Sequence, residues 1–416
     1  MPRFPLRSFL RSGVALISLA TLAGCTGDTR PAGDSTSAVA PASGSEATLL
    51  VGSYTEGPAS SGKSKGIATF RFDTVTGEAR PLAHNDGIRN PSWLVVSQNT
   101  KFVYAVNELN GTGKSGEVSA FAYDAPSGRL TFLNKVSSEG DDPCHLMLPN
   151  KLEKIVVSNY SAGGYSILGI DKTGRLTPAL RTETFTDATG TGRISHLHST
   201  TMLPGGFSFL AADLGLDRVT MDNLFEGHVD LNKGRIGSGD SDSRFSPVVS
   251  MSIDAGPRHM IFDNKGDTAY FINETNDSIV IREAEALRGS RAPKPSRTPV
   301  TLGSPVTPGK GTAAAIHLSE DGRFLYASTR NPKNIIVVFA VNPTDGSLRE
   351  IQTVPSGGKA PREFTIAPGG KFLLVANQQS DAIAVFSRDP ETGKITDTSR
   401  RIPVGSPTDL KWAPAR

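Results

Sequence analysis

A repeat of about fifty residues, built only from short predicted strands, runs through most of this 416-residue chain. In each copy a segment that contains Pro or His leads into an apolar strand. A Gly-containing turn follows, and a second apolar strand ends in Asn or a charged residue. Such a repeat predicts a β-propeller, in which every copy forms one blade. Five copies run from Pro143-Cys144-His145 to Ser158-Asn159-Tyr160, from His196-Leu197-His198 to Ala212-Asp213-Leu214, from Gly256-Pro257-Arg258-His259 to Ile272-Asn273-Glu274, from Ala315-Ile316-His317 to Ser328-Thr329-Arg330, and from Pro361-Arg362-Glu363 to Ala376-Asn377-Gln378. An earlier copy has its second strand at residues 101–108, so six copies are complete.

The two ends of the repeat region are incomplete and complement each other. Residues 48–54 and 66–73 predict outer strands without an inner one, whereas residues 408–412 predict an inner strand alone. Joining them in one sheet would close the ring and remove free sheet edges. The sequence therefore predicts an all-β, seven-bladed β-propeller over residues 46–416, whose ring is closed by N- and C-terminal strands in one blade.

Some segments of the repeat region depart from its rhythm or recur within it. Residues 225–247 and 288–310 predict long connections in the third and fourth blades, the second being a solvated loop or one that contacts an anion or the cell envelope. The Asn that ends several second strands predicts a cap for the loop that follows; these residues are Asn107, Asn159, Asn273 and Asn377.

The N-terminus predicts export. Arg3, Arg7 and Arg11 precede a short apolar run that ends at Leu22-Ala23-Gly24-Cys25, which resembles a bacterial lipobox. The resemblance implies a lipoprotein signal peptide over residues 1–24, a lipid on Cys25, and an envelope protein outside the cytoplasm, on the periplasmic side or the cell surface. The alternative is an ordinary secretory signal that contains a Cys by chance. Residues 25–45 are rich in Ser, Ala, Gly and Pro and predict a flexible tether.

Charge and cysteine content narrow the function classes. The formal net charge is +3 with acidic and basic residues interspersed, which gives no basic face for nucleic acid. The chain has two cysteines, so a lipid on Cys25 would leave Cys144 without a disulfide partner. His and carboxylates do not cluster at metal-ligand spacing, so we expect neither a metal nor another cofactor.

Propeller geometry places the ends of the first two strands of every blade, and the His and charged residues there, around one channel mouth. The first two strands of a blade are antiparallel, so the start of the first and the end of the second lie at the same end. The structural alternatives are a buried core role for His317 and ion pairing for Arg362. The residues at these positions that could form a site for an anionic or ester substrate are Glu108, His145, His196, His198, Arg258, His259, Glu274, His317, Arg330 and Arg362.

From about Leu49 to Trp412 the sequence resembles the lactonase family of seven-bladed propellers, which includes propeller-type 6-phosphogluconolactonases and carboxymuconate cyclases. The resemblance is carried by Val51-Gly52-Ser53-Tyr54-Thr55, Asn90-Pro91-Ser92, Ala105-Val106-Asn107-Glu108, Asp213-Leu214-Gly215-Leu216-Asp217, Gly256-Pro257-Arg258-His259, Ile272-Asn273-Glu274, Ser319-Glu320-Asp321-Gly322-Arg323-Phe324-Leu325-Tyr326 and Val375-Ala376-Asn377-Gln378.

The resemblance implies an active site of one His, two Arg and one Glu. Matched residue by residue, these are His198, Arg258, Glu274 and Arg330. Two motifs depart from the usual pattern, with Thr329 where Asn is usual and Ser195 where Pro is usual, and neither change removes a charged group. The neighbouring residues His145, His196, His259 and Arg362 are candidates for substrate binding.

Lactone hydrolysis needs a base that activates water and a cation for the developing oxyanion. Glu274 or His198 could be the base, and Arg258 and Arg330 could bind the oxyanion or a substrate anion. Phosphorylated sugar lactones belong to the cytoplasm, so an exported protein is expected to open a non-phosphorylated sugar lactone or another cyclic ester. The alternative function is a non-catalytic, envelope-anchored propeller that binds a small ligand or a protein partner. The oligomeric state stays open.

Overall fold

The computed structural model describes residues 45–57, 63–111, 115–149, 153–187, 190–225, 228–230, 235–237, 247–288 and 298–414. In this part of the chain, seven antiparallel sheets of four strands account for every strand outside one hairpin. The predicted signal peptide and the tether, apart from Ser45, lie outside the described residues. Within those residues, no helix is long and apolar enough to cross a membrane.

The described chain starts with three outer strands of the seventh blade and then completes three blades in order. The outer strands are β1 (Glu46–Ser53), β2 (Gly66–Asp73) and β3 (Ala79–Asp86). Blade 1 holds β4 (Leu94–Val96), β5 (Phe102–Asn107), β6 (Glu117–Asp124) and β7 (Arg129–Ser137), and blade 2 holds β8 (Pro143–Met147), β9 (Lys154–Asn159), β10 (Gly164–Ile170) and β11 (Leu176–Thr184). Blade 3 holds β12 (Leu197–Met202), β13 (Ser208–Asp213), β14 (Arg218–Asn223) and β17 (Pro247–Ser250), with the hairpin β15 (His228–Asp230) and β16 (Arg235–Gly237) inserted before β17.

The remaining strands complete the ring. Blade 4 holds β18 (Pro257–Phe262), β19 (Thr268–Asn273), β20 (Ser278–Glu283) and β21 (Val300–Thr301), with helix α1 (Ala284–Leu287) after β20. Blade 5 holds β22 (Ala313–Leu318), β23 (Phe324–Thr329), β24 (Ile335–Val341) and β25 (Leu348–Pro355). Blade 6 holds β26 (Pro361–Ile366), β27 (Phe372–Asn377), β28 (Ala382–Arg388) and β29 (Ile395–Pro403), with a 3-10 turn at Gln378–Ser380, and β30 (Pro407–Pro414) ends the described chain.

Strand β30 closes the ring as the innermost strand of blade 7. It pairs antiparallel with β1, with Leu49 opposite Trp412 and Val51 opposite Leu410. The seven innermost strands contact one another in an unbroken cycle: β4, β8, β12, β18, β22, β26, β30 and back to β4. The predicted seven blades and their closure by both chain ends are confirmed.

Apolar side chains fill the space between neighbouring blades. Seven buried clusters lie one at each blade interface. Second strands are buried on both faces. In β27, for example, every residue is buried. Each fully buried Leu or Phe contributes roughly 1.5–3 kcal/mol, so the blades are stabilised mainly by packing against one another.

The irregular stretches and the Asn residues differ in detail from the predictions. The connection of residues 225–247 contains the hairpin β15–β16, and that of residues 288–310 contains the outer strand β21. Asn107, Asn159 and Asn377 donate to Arg89, Ser138 and Ser356, which precede the inner strands of their own blades. These three Asn therefore fasten the connection between blades. Asn273 bonds Ser278, the first residue of its third strand, and Asn107 and Asn159 also bond third-strand residues, Ser119 and Ser166.

Candidate active site

A β-bulge at the start of the inner strand redirects one side chain in each of four blades. In blade 4, Pro257 pairs with Asn273 and His259 with Ile272, so the register skips Arg258. A bulge leaves the extra residue unpaired and redirects its side chain. The same skip occurs at Cys144, His198 and Arg362 in blades 2, 3 and 6.

Glu274 bridges two guanidinium groups at this mouth. Its Oε1 lies 2.8 Å from Arg330 Nη2, and its Oε2 lies 3.1 Å from Arg258 Nε. The contact with Arg258 is an ion pair and not a hydrogen bond, because the N–H of Arg258 Nε does not point at the carboxylate oxygen. Burial raises the pKa of Glu274, but the charges of Arg330 and Arg258 lower it by more than burial raises it. The pKa therefore lies below the usual value, and the carboxylate is ionised.

The two arginines of this pair differ in exposure. The Arg258 side chain is only 2% exposed, and its Nη1 donates to the Ala314 carbonyl at 2.6 Å. Burial lowers the pKa of Arg258 to about 10, against the opposing effect of Glu274, so it stays charged at neutral pH. The Arg330 side chain is 20% exposed, and its Nε donates to Thr312. Arg330 is therefore the member of the pair that a substrate can reach.

His198 is a neutral imidazole beside these charges. Burial, followed by the charges of Arg258 and Arg362, holds the pKa of His198 well below its usual value. Its Nδ1 is buried and has no hydrogen-bond partner among the described residues. A neutral imidazole can accept a proton, which is the property required of a general base.

His145 and His259 form the floor of the mouth with Trp93. Their ring centroids lie 4.5 and 5.1 Å from that of Trp93 and 5.7 Å from each other. Burial, then Lys411 and Arg258, lowers the pKa of His145 to about 3, and burial also holds the pKa of His259 well below normal. Both side chains are buried and neutral, so they present aromatic surface and not charge.

Arg362 supplies a third guanidinium from blade 6. It lies over the Tyr54 ring, 5.4 Å from the centroid. The Tyr54 hydroxyl donates to Glu108 Oε1 at 2.6 Å, and Ser92 donates to the other oxygen of Glu108. Arg362 lowers the pKa of both His198 and Glu274, which places its charge near the bridged pair.

Two other histidines occupy different places. His196 lies at the rim, half-buried, with its ring stacked on Tyr160. His317 is 36% exposed in its side chain and 2.6 Å from Glu363 Oε1, so the prediction of a buried core histidine is wrong although the hydrogen bond exists. The residue pairs with the carboxylate one blade away, and that position leaves its ring accessible.

The fold agrees with comparisons to known proteins. Residues 48–412 match the family model described as lactonase, 7-bladed beta-propeller. The chain belongs to this lactonase family. It is 32% identical to a 6-phosphogluconolactonase of Formosa agariphila over 87% of this chain and 98% of that protein. It is 27% identical to a 6-phosphogluconolactonase of Bacillus subtilis over 87% of this chain and 97% of that protein.

A solved structure extends the likeness to a protein outside the cytoplasm. The periplasmic gluconolactonase of Pseudomonas aeruginosa is 33% identical, has a TM-score of 0.77, and matches 89% of this chain and 100% of its own. The lactonase propeller is thus found both in relatives named for a phosphorylated substrate and in a neighbour named for gluconolactone.

Sequence reasoning gathered the charged residues of this lactonase-family mouth but missed its aromatic walls. Trp93 precedes an inner strand of only three residues, so the repeat hardly marks its position. Tyr54 and Tyr160 follow second strands at places where other blades carry Glu or Arg. Both tyrosines directly follow the second strand of their blade, and this position alone would have identified them as candidates.

Within the described residues, no group of three or more His, Cys, Asp or Glu is arranged to hold a metal ion. Cys144 is buried, its thiol donates to the His198 carbonyl at 3.3 Å, and burial raises its pKa far above normal. That thiol is therefore a packed group and a poor nucleophile. The positive charge of the mouth comes from guanidinium groups and from Lys411, whose Nζ lies 3.9 Å from the centroid of the Trp93 ring.

Proposed function

We propose that this protein hydrolyses a sugar lactone outside the cytoplasm, with His198, Arg258, Glu274 and Arg330 as its catalytic residues. The observation that carries the proposal is a neutral, buried imidazole beside a carboxylate that bridges two guanidiniums. A general base and a preorganised cation are the two groups that ester hydrolysis requires.

In the proposed reaction, His198 takes a proton from water while the water oxygen bonds to the lactone carbonyl carbon. The carbonyl oxygen becomes an oxyanion, which Arg330 stabilises from the accessible side of the pair. Collapse of this intermediate breaks the ring C–O bond, and the proton on His198 passes to the departing ring oxygen. The product is the open hydroxy acid.

The ion pairs favour His198 over Glu274 as the base. Arg330 and Arg258 occupy both oxygens of Glu274, whereas His198 Nδ1 has no hydrogen-bond partner among the described residues and is available to water. Glu274 then serves to orient the two guanidiniums. Arg258, whose Nη1 bonds the Ala314 carbonyl, is the buried member that fixes this arrangement.

The charge and shape of the mouth fit a polar cyclic ester. Three guanidiniums (Arg258, Arg330 and Arg362) and two carboxylates (Glu108 and Glu274) supply charged partners for a polar substrate. His145 and His259 form an aromatic floor under the substrate, and His196 lies at the rim. These residues and Arg362 are proposed to bind the lactone.

The predicted signal peptide favours a non-phosphorylated sugar lactone. Cleavage before Cys25 and lipidation of that residue would tether the propeller to the cell envelope through residues 25–45. The Pseudomonas aeruginosa neighbour named as a periplasmic gluconolactonase supports this location. We expect Cys25→Ser to abolish partitioning into detergent; wild-type protein found soluble with an unmodified Cys25 would contradict the anchor.

The test is a panel of sugar and aliphatic lactones, followed by proton release above the spontaneous rate, with the fragment from Gly27 onward. We expect turnover by the wild type and losses of about 10²–10³-fold for Arg330→Ala and Arg258→Lys. Lysine cannot replace the fork of Arg258, which contacts Glu274 and Ala314 at once. A folded protein that binds a lactone or a protein but turns over none would establish the non-catalytic alternative.

A further inference from the structure

Tyr160 lies directly after β9 at the same mouth as the proposed catalytic residues. Its ring meets the His198 ring edge-on, with centroids 5.7 Å apart. Burial raises the pKa of Tyr160 to about 12; Glu274 raises it as well, whereas Arg258 and Arg330 lower it. These effects place the phenol near the bridged ion pair and keep it protonated, and hence a hydrogen-bond donor, at physiological pH.

His196 holds the Tyr160 ring in place. The two rings stack with centroids 4.5 Å apart and planes 15° apart, and His196 Nδ1 lies 3.2 Å from the Tyr160 carbonyl oxygen. The His196 backbone N–H donates to Asp213 at 3.0 Å, and Ser195 donates to the same buried carboxylate at 2.8 Å. The ring is therefore fixed before a ligand arrives, which lowers the entropic cost of binding.

The Tyr160 hydroxyl is available to a ligand. Among the residues that the structure describes, none accepts a hydrogen bond from it, in contrast to Tyr104, whose hydroxyl donates to the Gly174 carbonyl at 3.1 Å. Ligand sites typically combine aromatic surface with a few placed polar groups that fix orientation. Tyr160 offers both features in one half-buried side chain.

We infer that Tyr160 determines substrate specificity by donating a hydrogen bond to a ring hydroxyl of the lactone while its ring packs against the sugar. The substrate class is then a polyhydroxylated lactone, and a bare aliphatic lactone of the same ring size lacks the acceptor. This inference rests on the proposed lactonase function. A site built to bond a substrate hydroxyl discriminates against the analogue that lacks it.

The experiment compares glucono-δ-lactone with δ-valerolactone, which share a six-membered ring, on the full-length protein in detergent. Tyr160→Phe is expected to lower kcat/KM for glucono-δ-lactone about tenfold, mostly through KM, because it removes one hydrogen bond. It should leave δ-valerolactone within about twofold of wild type. His196→Ala, which removes the stack, should also raise KM for the sugar lactone.

The matched control is Tyr104→Phe. Burial raises the pKa of Tyr104 to about 12 as well, but its hydroxyl lies between blades and bonds Gly174. Tyr104→Phe should therefore leave kcat/KM unchanged for both lactones. Equal losses for both lactones in Tyr160→Phe, or no loss for the sugar lactone, would overturn the inference while wild-type turnover still upholds the lactonase function. A wild type that hydrolyses no lactone would overturn both.

Discussion

Replacing Glu274 with Gln should destabilise the propeller because the carboxylate balances a buried charge. The change removes ion contacts of 2.8 and 3.1 Å and leaves Arg258, with 2% of its side chain exposed, without its anionic partner. Breaking a buried pair costs about 3–5 kcal/mol. Glu274 and Arg330 are 22% and 20% exposed, so we expect a loss near the lower end, about 3 kcal/mol.

The assay is urea unfolding at pH 7 of the fragment from Gly27, with Glu46→Gln as the matched control. Glu46 also contacts two arginines, Arg71 at 3.8 Å and Arg80 at 3.7 Å, but its side chain is 44% exposed, and buried Arg71 keeps hydrogen bonds to Thr48 and to the Ala125 carbonyl. Exposed pairs contribute about 0–1 kcal/mol. The reasoning is refuted if Glu274→Gln costs no more than Glu46→Gln.

The pH dependence gives this prediction its sign. The pKa of Glu274 is lowered in the folded state, because Arg330 and Arg258 outweigh the effect of burial. Its contribution is therefore fully present above the unfolded value and disappears as pH falls through the folded value. The difference in the free energy of unfolding between wild type and Glu274→Gln should become smaller as the pH falls below about 4.3, the ordinary pKa of Glu.

Three further predictions concern stability. Trp412→Ala in the closing strand should cost about 3 kcal/mol in urea unfolding, because the indole packs edge-on against Phe72 and donates to Thr365; a cost no larger than that of Phe132→Ala, a 56% exposed residue, would contradict closure. The pKa of His145 is about 3 in the folded state, so only the unfolded state takes up this proton as the pH falls below about 6.5, and the free energy of unfolding decreases. His145→Gln should reduce the slope of this decrease between pH 6 and 4 by about 1.4 kcal/mol per pH unit. An unchanged slope would refute this prediction. Asn377→Ala should cost about 1–3 kcal/mol and leave kcat near wild type, because its buried amide bonds Ser356; loss of turnover without loss of stability would contradict the structural role.

The ring and the gathering of charges could be predicted because both follow from strand order. Alternating strand direction places Arg258 and Glu274 at one end of blade 4, whatever the side-chain packing. Closure followed from outer strands at one chain end and an inner strand at the other, and β1 does pair with β30.

The finer arrangement could not be predicted because it depends on register and on contacts between distant blades. The bulges that redirect His198 and Arg258 each skip one residue without a distinctive sequence. The Arg362–Tyr54 contact joins blade 6 to blade 7 across 308 positions, 362 − 54. The partly exposed position of the His317 ring depends on a Glu363 partner one blade away, which periodicity within a blade does not reveal.

The most direct measurement is kcat/KM for glucono-δ-lactone across pH 5–8, by wild type and His198→Ala, after subtraction of spontaneous hydrolysis. Because burial and Arg258 hold the pKa of His198 well below its usual value, the base is still neutral at the pH where an ordinary His takes up a proton. We predict a flat wild-type profile and a variant about 10²–10⁴-fold slower at every pH. A wild-type limb with an apparent pKa near 6.5, the ordinary value for His, or a variant of nearly wild-type activity, would contradict the account.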